Sequence, residues 1–168
     1  MDTSTLRDAY RALLDAAATI TAPGISPRVP PAGEWDAEQI LAHVVIVNAV
    51  TINAVSAVSS GVNTTYDNRV AADAWTLGRV IERAGGAAGL RERIRAQGDA
   101  LCALTGGVLG EAEGDTPVPT LLLSHDAVLV DRPVPLRDLV AGLADAELPG
   151  HTAQLLALLP QEAGSAGR

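Results

Sequence analysis

The sequence contains no Lys and no Phe, and Cys102 is the one cysteine among its 168 residues. A lone cysteine excludes an intramolecular disulfide, and nothing in the composition points to an oxidising compartment. Aromatic residues make up 2% of the chain, so any core must be built from Ala, Val, Leu and Ile. All 12 basic residues are Arg, and 20 acidic residues outnumber them, for a formal net charge of −8. Such a surface is repelled by phosphate backbones and anionic lipid, which excludes nucleic acid and membrane surfaces as expected partners. Long uninterrupted apolar runs are also lacking. The most apolar stretch, Ile40–Val58, is broken by His43, Asn48, Thr51, Asn53 and Ser56, which argues against a membrane span. The start, MDTSTLRDAYRALLDAA, has neither the basic opening nor the apolar centre of a secretion signal. The expected location is therefore the cytoplasm.

What is present is ample apolar material. Hydrophobic residues are 48% and charged residues 19%, which is enough burial to offset the ordering entropy of a folded domain. The length suits one domain over 1–160 with a short mobile tail, 161–168. Leu6, Tyr10, Leu13, Leu14, Ala17 and Ile20 recur at helical spacing and predict a first helix over 3–20. The stretch APGISPRVPPAG, 22–33, then stops it. Asp36 and Gln39 have the spacing of a capping box and open a second helix that runs to about Ser59. Just before it, Trp35 is placed to anchor the 22–33 loop. A third helix is expected from Asn68 or Arg69 through Trp75, Val80 and Ile81, interrupted by Gly85, Gly86 and Gly89 and resuming over 90–104. Val118–Leu123 and Val128–Val130 form a short β-ribbon turning at Ser124–Ala127, and a last helix covers 136–159. The expected fold is all-α, a four-helix bundle with a short β-ribbon before the last helix.

The last helix carries an irregularity. Its apolar stripe runs Leu136, Leu139, Val140, Leu143 and then Glu147, His151, Leu155 and Leu159. Glu147 and His151 occupy positions that the pattern assigns to leucines. A carboxylate and an imidazole facing a core pay a desolvation cost unless something pairs them. At i and i+4 both can reach one cation. His43, flanked by Ile40, Val47 and Val50 at helical spacing, faces an apolar side of the second helix. Together the three would make a His₂Glu set with one open position, the arrangement of catalytic rather than structural zinc. The same residues are compatible with a core histidine and a buried hydrogen-bonded pair. His125 falls in the ribbon turn, where a solvated surface histidine is expected. Cys102, in an apolar helical segment, is expected to be a small buried hydrophobe. No phosphate loop, nucleophile elbow or CxxC pattern is present.

Three segments resemble one family. GEWDAEQILAHVV is similar to the second-helix motif of the DinB-like superfamily, in which a Trp and a polar helix start precede a metal-binding His. PGHTAQLLALLP resembles its last-helix motif, a final metal His followed by a small residue, a Gln and an apolar run. The ligand four residues earlier is usually His, but it is Glu in the branch of mycothiol-dependent maleylpyruvate isomerases, as at Glu147 here. SGVNTTYDNRVAADAW also resembles that branch. The resemblance spans about 3–160.

It implies a divalent metal, zinc or nickel, held by His43, Glu147 and His151, with a low-molecular-weight thiol such as mycothiol as cosubstrate. It further implies thiol transfer, isomerisation or ring-opening hydrolysis of a small electrophilic metabolite, in detoxification or secondary metabolism. His43, Glu147 and His151 are the catalytic candidates, Tyr66 and Arg69 the substrate-binding ones, and a homodimer is the candidate assembly. The alternative is a metal-free protein that binds a small molecule in the bundle cavity, for self-resistance or biosynthesis. One local feature bears on the choice. Pro149 removes an amide donor and crowds the carbonyl of Asp145, so the last helix is expected to kink or restart between Glu147 and His151.

Overall fold

Helical periodicity accounts for the first two elements of the computed structural model, which describes residues 2–124 and 127–160. Helix α1, Ser4–Ile20, buries Leu6, Tyr10, Leu13, Ala17 and Ile20 along one stripe. Helix α2, Ala37–Ser59, opens on the expected capping box: the Gln39 amide donates to Asp36 Oδ1 at 2.9 Å and the Asp36 amide to Gln39 Oε1 at 3.0 Å. Because α2 is apolar on most faces, it is stable only as a central element, and it is buried over most of its length. By length and composition alone it could cross a membrane, a test that the core helix of a globular domain also passes.

After α2 the chain departs from expectation. Tyr66–Asp67 forms a short strand, β1, which the sequence pattern does not predict. A single 3₁₀ turn, Arg69–Ala71, follows, and the third helix starts later than the sequence pattern suggests, as α3, Ala74–Ala84. Its start is set by Asp73, whose carboxylate accepts from the Thr76 amide at 2.8 Å. Gly85 and Gly86, at φ 74° and 88°, turn the chain from α3 into α4, Ala87–Gly107. Gly98 of α4 faces the Tyr10 ring so closely that a Cβ would sit 3.0 Å from it, so α1 and α4 approach there with no room for a side chain.

A short helix, α5, Glu111–Asp115, precedes two strands longer than the apolar runs predict, β2, Pro117–Ser124, and β3, Ala127–Pro135. They pair antiparallel, and β1 adds to β2 in parallel, giving the order β1-β2-β3. Beyond β1 the Asn68 side chain continues the pairing, accepting from the Leu123 amide at 2.8 Å and donating to the Leu123 carbonyl at 2.9 Å. The chain is thus mostly helical with a small sheet, compatible with the expected all-α class, but the sheet has three strands where a two-stranded ribbon is expected. The ribbon-turn histidine, His125, and the expected tail 161–168 lie outside the described residues.

The last helix is the informative element. It runs as α6, Leu136–Gly142, then a π-helical turn, Leu143–Glu147, then α7, Leu148–Ala157. In the π turn the Leu148 amide bonds back five residues to the Leu143 carbonyl. This advances the apolar stripe by one residue. Leu148, not Glu147, takes the buried slot after Leu143, and Glu147 moves to the rim with its side chain 35% exposed. Pro149 then falls in the first turn of α7, where its missing amide costs nothing. α7 packs mainly on α1 but also touches α2, and there His43 of α2 and His151 of α7 face each other.

Candidate metal centre

His43 and His151 are both buried, with rings 4.7 Å apart, centre to centre, and edge-on to one another. Glu147 Oε1 stands between them, 2.8 Å from His43 Nε2 and 3.2 Å from His151 Nε2. One ligand atom from each of the three residues lies within 4.8 Å of the others. Although a residue is added upstream by the π turn, Glu147 and His151 keep helical i, i+4 spacing, and the restart at Pro149 does not turn Glu147 away.

The far sides of the two rings define which nitrogens face the centre. His43 Nδ1 is 2.8 Å from the Ala71 carbonyl, which can only accept, so Nδ1 carries the hydrogen. His151 Nδ1 is 2.7 Å from Gln154 Oε1. Each ring therefore donates outward from Nδ1 and presents Nε2 to the shared point, the outer-shell pattern of metal-bound histidines. For His43 the consequence is strict. A neutral ring bonded to Ala71 has a lone pair at Nε2, and that lone pair meets a carboxylate oxygen at 2.8 Å. Two acceptors at that distance require a positive centre, a proton or a metal ion. The cluster can hold a metal ion, and its donor set, two imidazoles and one carboxylate, suits a borderline divalent cation such as zinc or nickel.

The carboxylate is conditioned for this role. Burial would push the Glu147 carboxyl up, but in the metal-free chain hydrogen bonds from the protonated His151 and His43 rings, with their charge, outweigh it and hold the group well below the usual carboxylate range. Trp35 completes the surroundings. Its ring lies 4.7 Å from the His43 ring and 6.4 Å from that of His151, so it forms a wall of the centre rather than an anchor for the preceding loop alone.

The two substrate-binding candidates lie apart from each other. Tyr66 is buried, and its hydroxyl is 3.0 Å from Thr51 Oγ1. The Thr51 hydroxyl donates to the Val47 carbonyl, so the Tyr66 proton is directed at Thr51 rather than at the centre. Burial pushes the Tyr66 phenol up to about 12, with the nearby Glu147 charge adding to it. Arg69 is exposed and forks onto the carboxylate of Asp67, at 2.6 Å from Nη2. Cys102 is buried, and burial raises its thiol. A cavity of about 620 Å³ opens beside the end of α2, between Val58, Asn63, Thr116 and Val118, and contains none of the three cluster residues.

Sequence reasoning identifies the three ligand candidates, and the last-helix resemblance includes Gln154 without giving it a role, but Ala71 and the place of Trp35 are missed. A backbone carbonyl leaves no mark in a sequence. Gln154, three residues after His151 on the same helix, is the one partner that spacing could have suggested. Compared with protein-family models, curated proteins and solved structures, the chain finds no match.

Proposed function

We propose that this chain is a metal-dependent enzyme of the DinB-like four-helix-bundle type, acting on a small electrophilic metabolite. The observation that carries the reading is the orientation of His43: its Nδ1 is committed to the Ala71 carbonyl while its Nε2 faces the Glu147 carboxylate at 2.8 Å. His43, Glu147 and His151 would hold the ion. When bound, a divalent cation supplies Lewis-acid activation of a nucleophile near neutral pH.

The chain's own residues do the rest. The two buried imidazoles fix the centre between α2 and α7, and the carboxylate neutralises part of its charge. Glu147 is the most exposed of the three, so a small molecule approaches from its side. The Trp35 ring excludes water on another side and offers an apolar face to that molecule. This arrangement supports thiol transfer, isomerisation or ring-opening hydrolysis, with a low-molecular-weight thiol such as mycothiol as the cosubstrate of the first two. The proposed setting is cytoplasmic.

The test is turnover by the zinc- or nickel-loaded protein of strained-ring and unsaturated electrophiles, with and without a small thiol, followed by loss of substrate. The reading predicts metal-dependent consumption that His43→Ala abolishes. Consumption that is unchanged by a chelator would contradict it.

A further inference from the structure

We propose that Gln154 is the positioning residue of this centre: its side-chain carbonyl holds the His151 ring with Nε2 toward Glu147 and His43. The proposal rests on the metal reading above, and the test below separates the two.

The two histidines are oriented by different means. His43 is oriented by the main-chain carbonyl of Ala71, in the 3₁₀ turn that follows β1, which no side-chain substitution removes. His151 is oriented by a side chain, Gln154 Oε1, at 2.7 Å from Nδ1. Gln154 is exposed on α7, between the exposed Ala153 and the buried Leu155, so core packing gives no reason for a long polar side chain there. Its one described hydrogen bond is the one to His151.

The consequence is chemical. With an acceptor at Nδ1, the hydrogen sits on Nδ1 and the Nε2 lone pair is free for a cation. Without that acceptor, a neutral His151 can place its hydrogen on Nε2 and donate it to Glu147 Oε1, 3.2 Å away. That form hydrogen-bonds the Glu147 oxygen within the site and leaves Nε2 with no lone pair for a metal ion. Gln154 therefore stabilises the metal-ready orientation before any ion arrives, and its removal weakens metal binding without touching a ligand. Outer-shell partners of this kind typically change affinity by about 10–100-fold.

The experiment uses the full chain without a metal-affinity tag, as wild type, Gln154→Leu and Gln154→Glu. Two readouts are taken: zinc affinity against a competing chelator, and the ¹⁵N-resolved protonation of the His151 ring in the metal-free protein. The proposal predicts Nδ1 protonated in the wild type, and about 10–100-fold weaker zinc binding in Gln154→Leu with an unchanged melting temperature. It also predicts restoration in Gln154→Glu, because a carboxylate can only accept and an amide turned to donate would be mimicked by neither variant. In a wild type that binds zinc, equal affinity in Gln154→Leu would overturn it, as would a wild-type His151 ring bare at Nδ1. If the wild type takes up no zinc while its Nδ1 proton is lost in Gln154→Leu, the metal reading fails and the positioning role stands.

Discussion

His43 and Glu147, 104 residues apart in the chain, meet at 2.8 Å through a ring nitrogen that has no hydrogen to give in its neutral form. The meeting depends on two local devices, the 3₁₀ turn that aims the Ala71 carbonyl at Nδ1 and the π turn that brings Glu147 to the rim. A contact of this kind is unfavourable in a neutral metal-free protein and favourable around a cation, which is the usual cost of a preorganised site.

Glu147→Gln separates a metal ligand from a structural ion pair. An amide of the same shape can donate to His43 Nε2, so the metal-free variant should melt at or above the wild type. Its zinc affinity should fall by more than about 100-fold, exceeding the loss from an outer-shell change. Thermal unfolding in chelator and a zinc titration check both halves. A destabilised variant with intact zinc binding would show Glu147 to be a structural partner only.

Trp35→Ala removes a half-buried ring from the wall of the centre. A fully buried Trp would cost about 3–5 kcal/mol; half burial should bring the loss to about 2 kcal/mol by denaturant unfolding. In a Trp75→Phe background, which removes the exposed Trp75, the fluorescence of Trp35 should be quenched by nickel and not by zinc. Unchanged emission with nickel would place the ion elsewhere.

Pro149→Ala restores an amide donor beside the π turn. Reversion to a plain α-helix would rotate Leu148 out of the core and Glu147 into it, and burial of Leu148 opposes that. Metal affinity should therefore be retained, with a stability change below about 1 kcal/mol, because proline in a first turn is already unstrained. A large loss of metal binding would mean that Pro149 itself maintains the π turn.

Tyr66 predicts the alkaline limb. Its phenol is raised from 10.0 to about 12 by burial. The folded state then holds the proton more tightly than the unfolded one, so this stabilisation is full below pH 10 and is lost as pH rises toward 12. A shift of that size corresponds to about 2–3 kcal/mol. Tyr10, whose buried phenol is raised as well, contributes to the same fall, so Tyr66→Phe should flatten it only in part and the remainder should persist until Tyr10 is also replaced by Phe. Denaturant midpoints across the window check it.

The capping box at Asp36, the helical stripe of α1 and the breaks at Gly85 and Gly86 were legible because each is local: neighbouring residues decide them. His43, Glu147 and His151 were legible as polar side chains on apolar stripes. The π turn was not, because an unbroken 3.6-residue period places Glu147 in the slot that Leu148 fills, and only the five-residue step from Leu143 and the adjacent proline hint at it. β1 was invisible for a different reason. Two residues carry no periodicity, and pairing with Thr120 and Leu121 is decided by distant chain.

The most direct measurement is the metal content of the untagged protein as purified, compared with Glu147→Gln after both are offered zinc and nickel. The account predicts near-stoichiometric divalent metal in the wild type and almost none in the variant. A wild type that remains metal-free under those conditions, with the His43–Glu147 contact bridged by a proton alone, would contradict it.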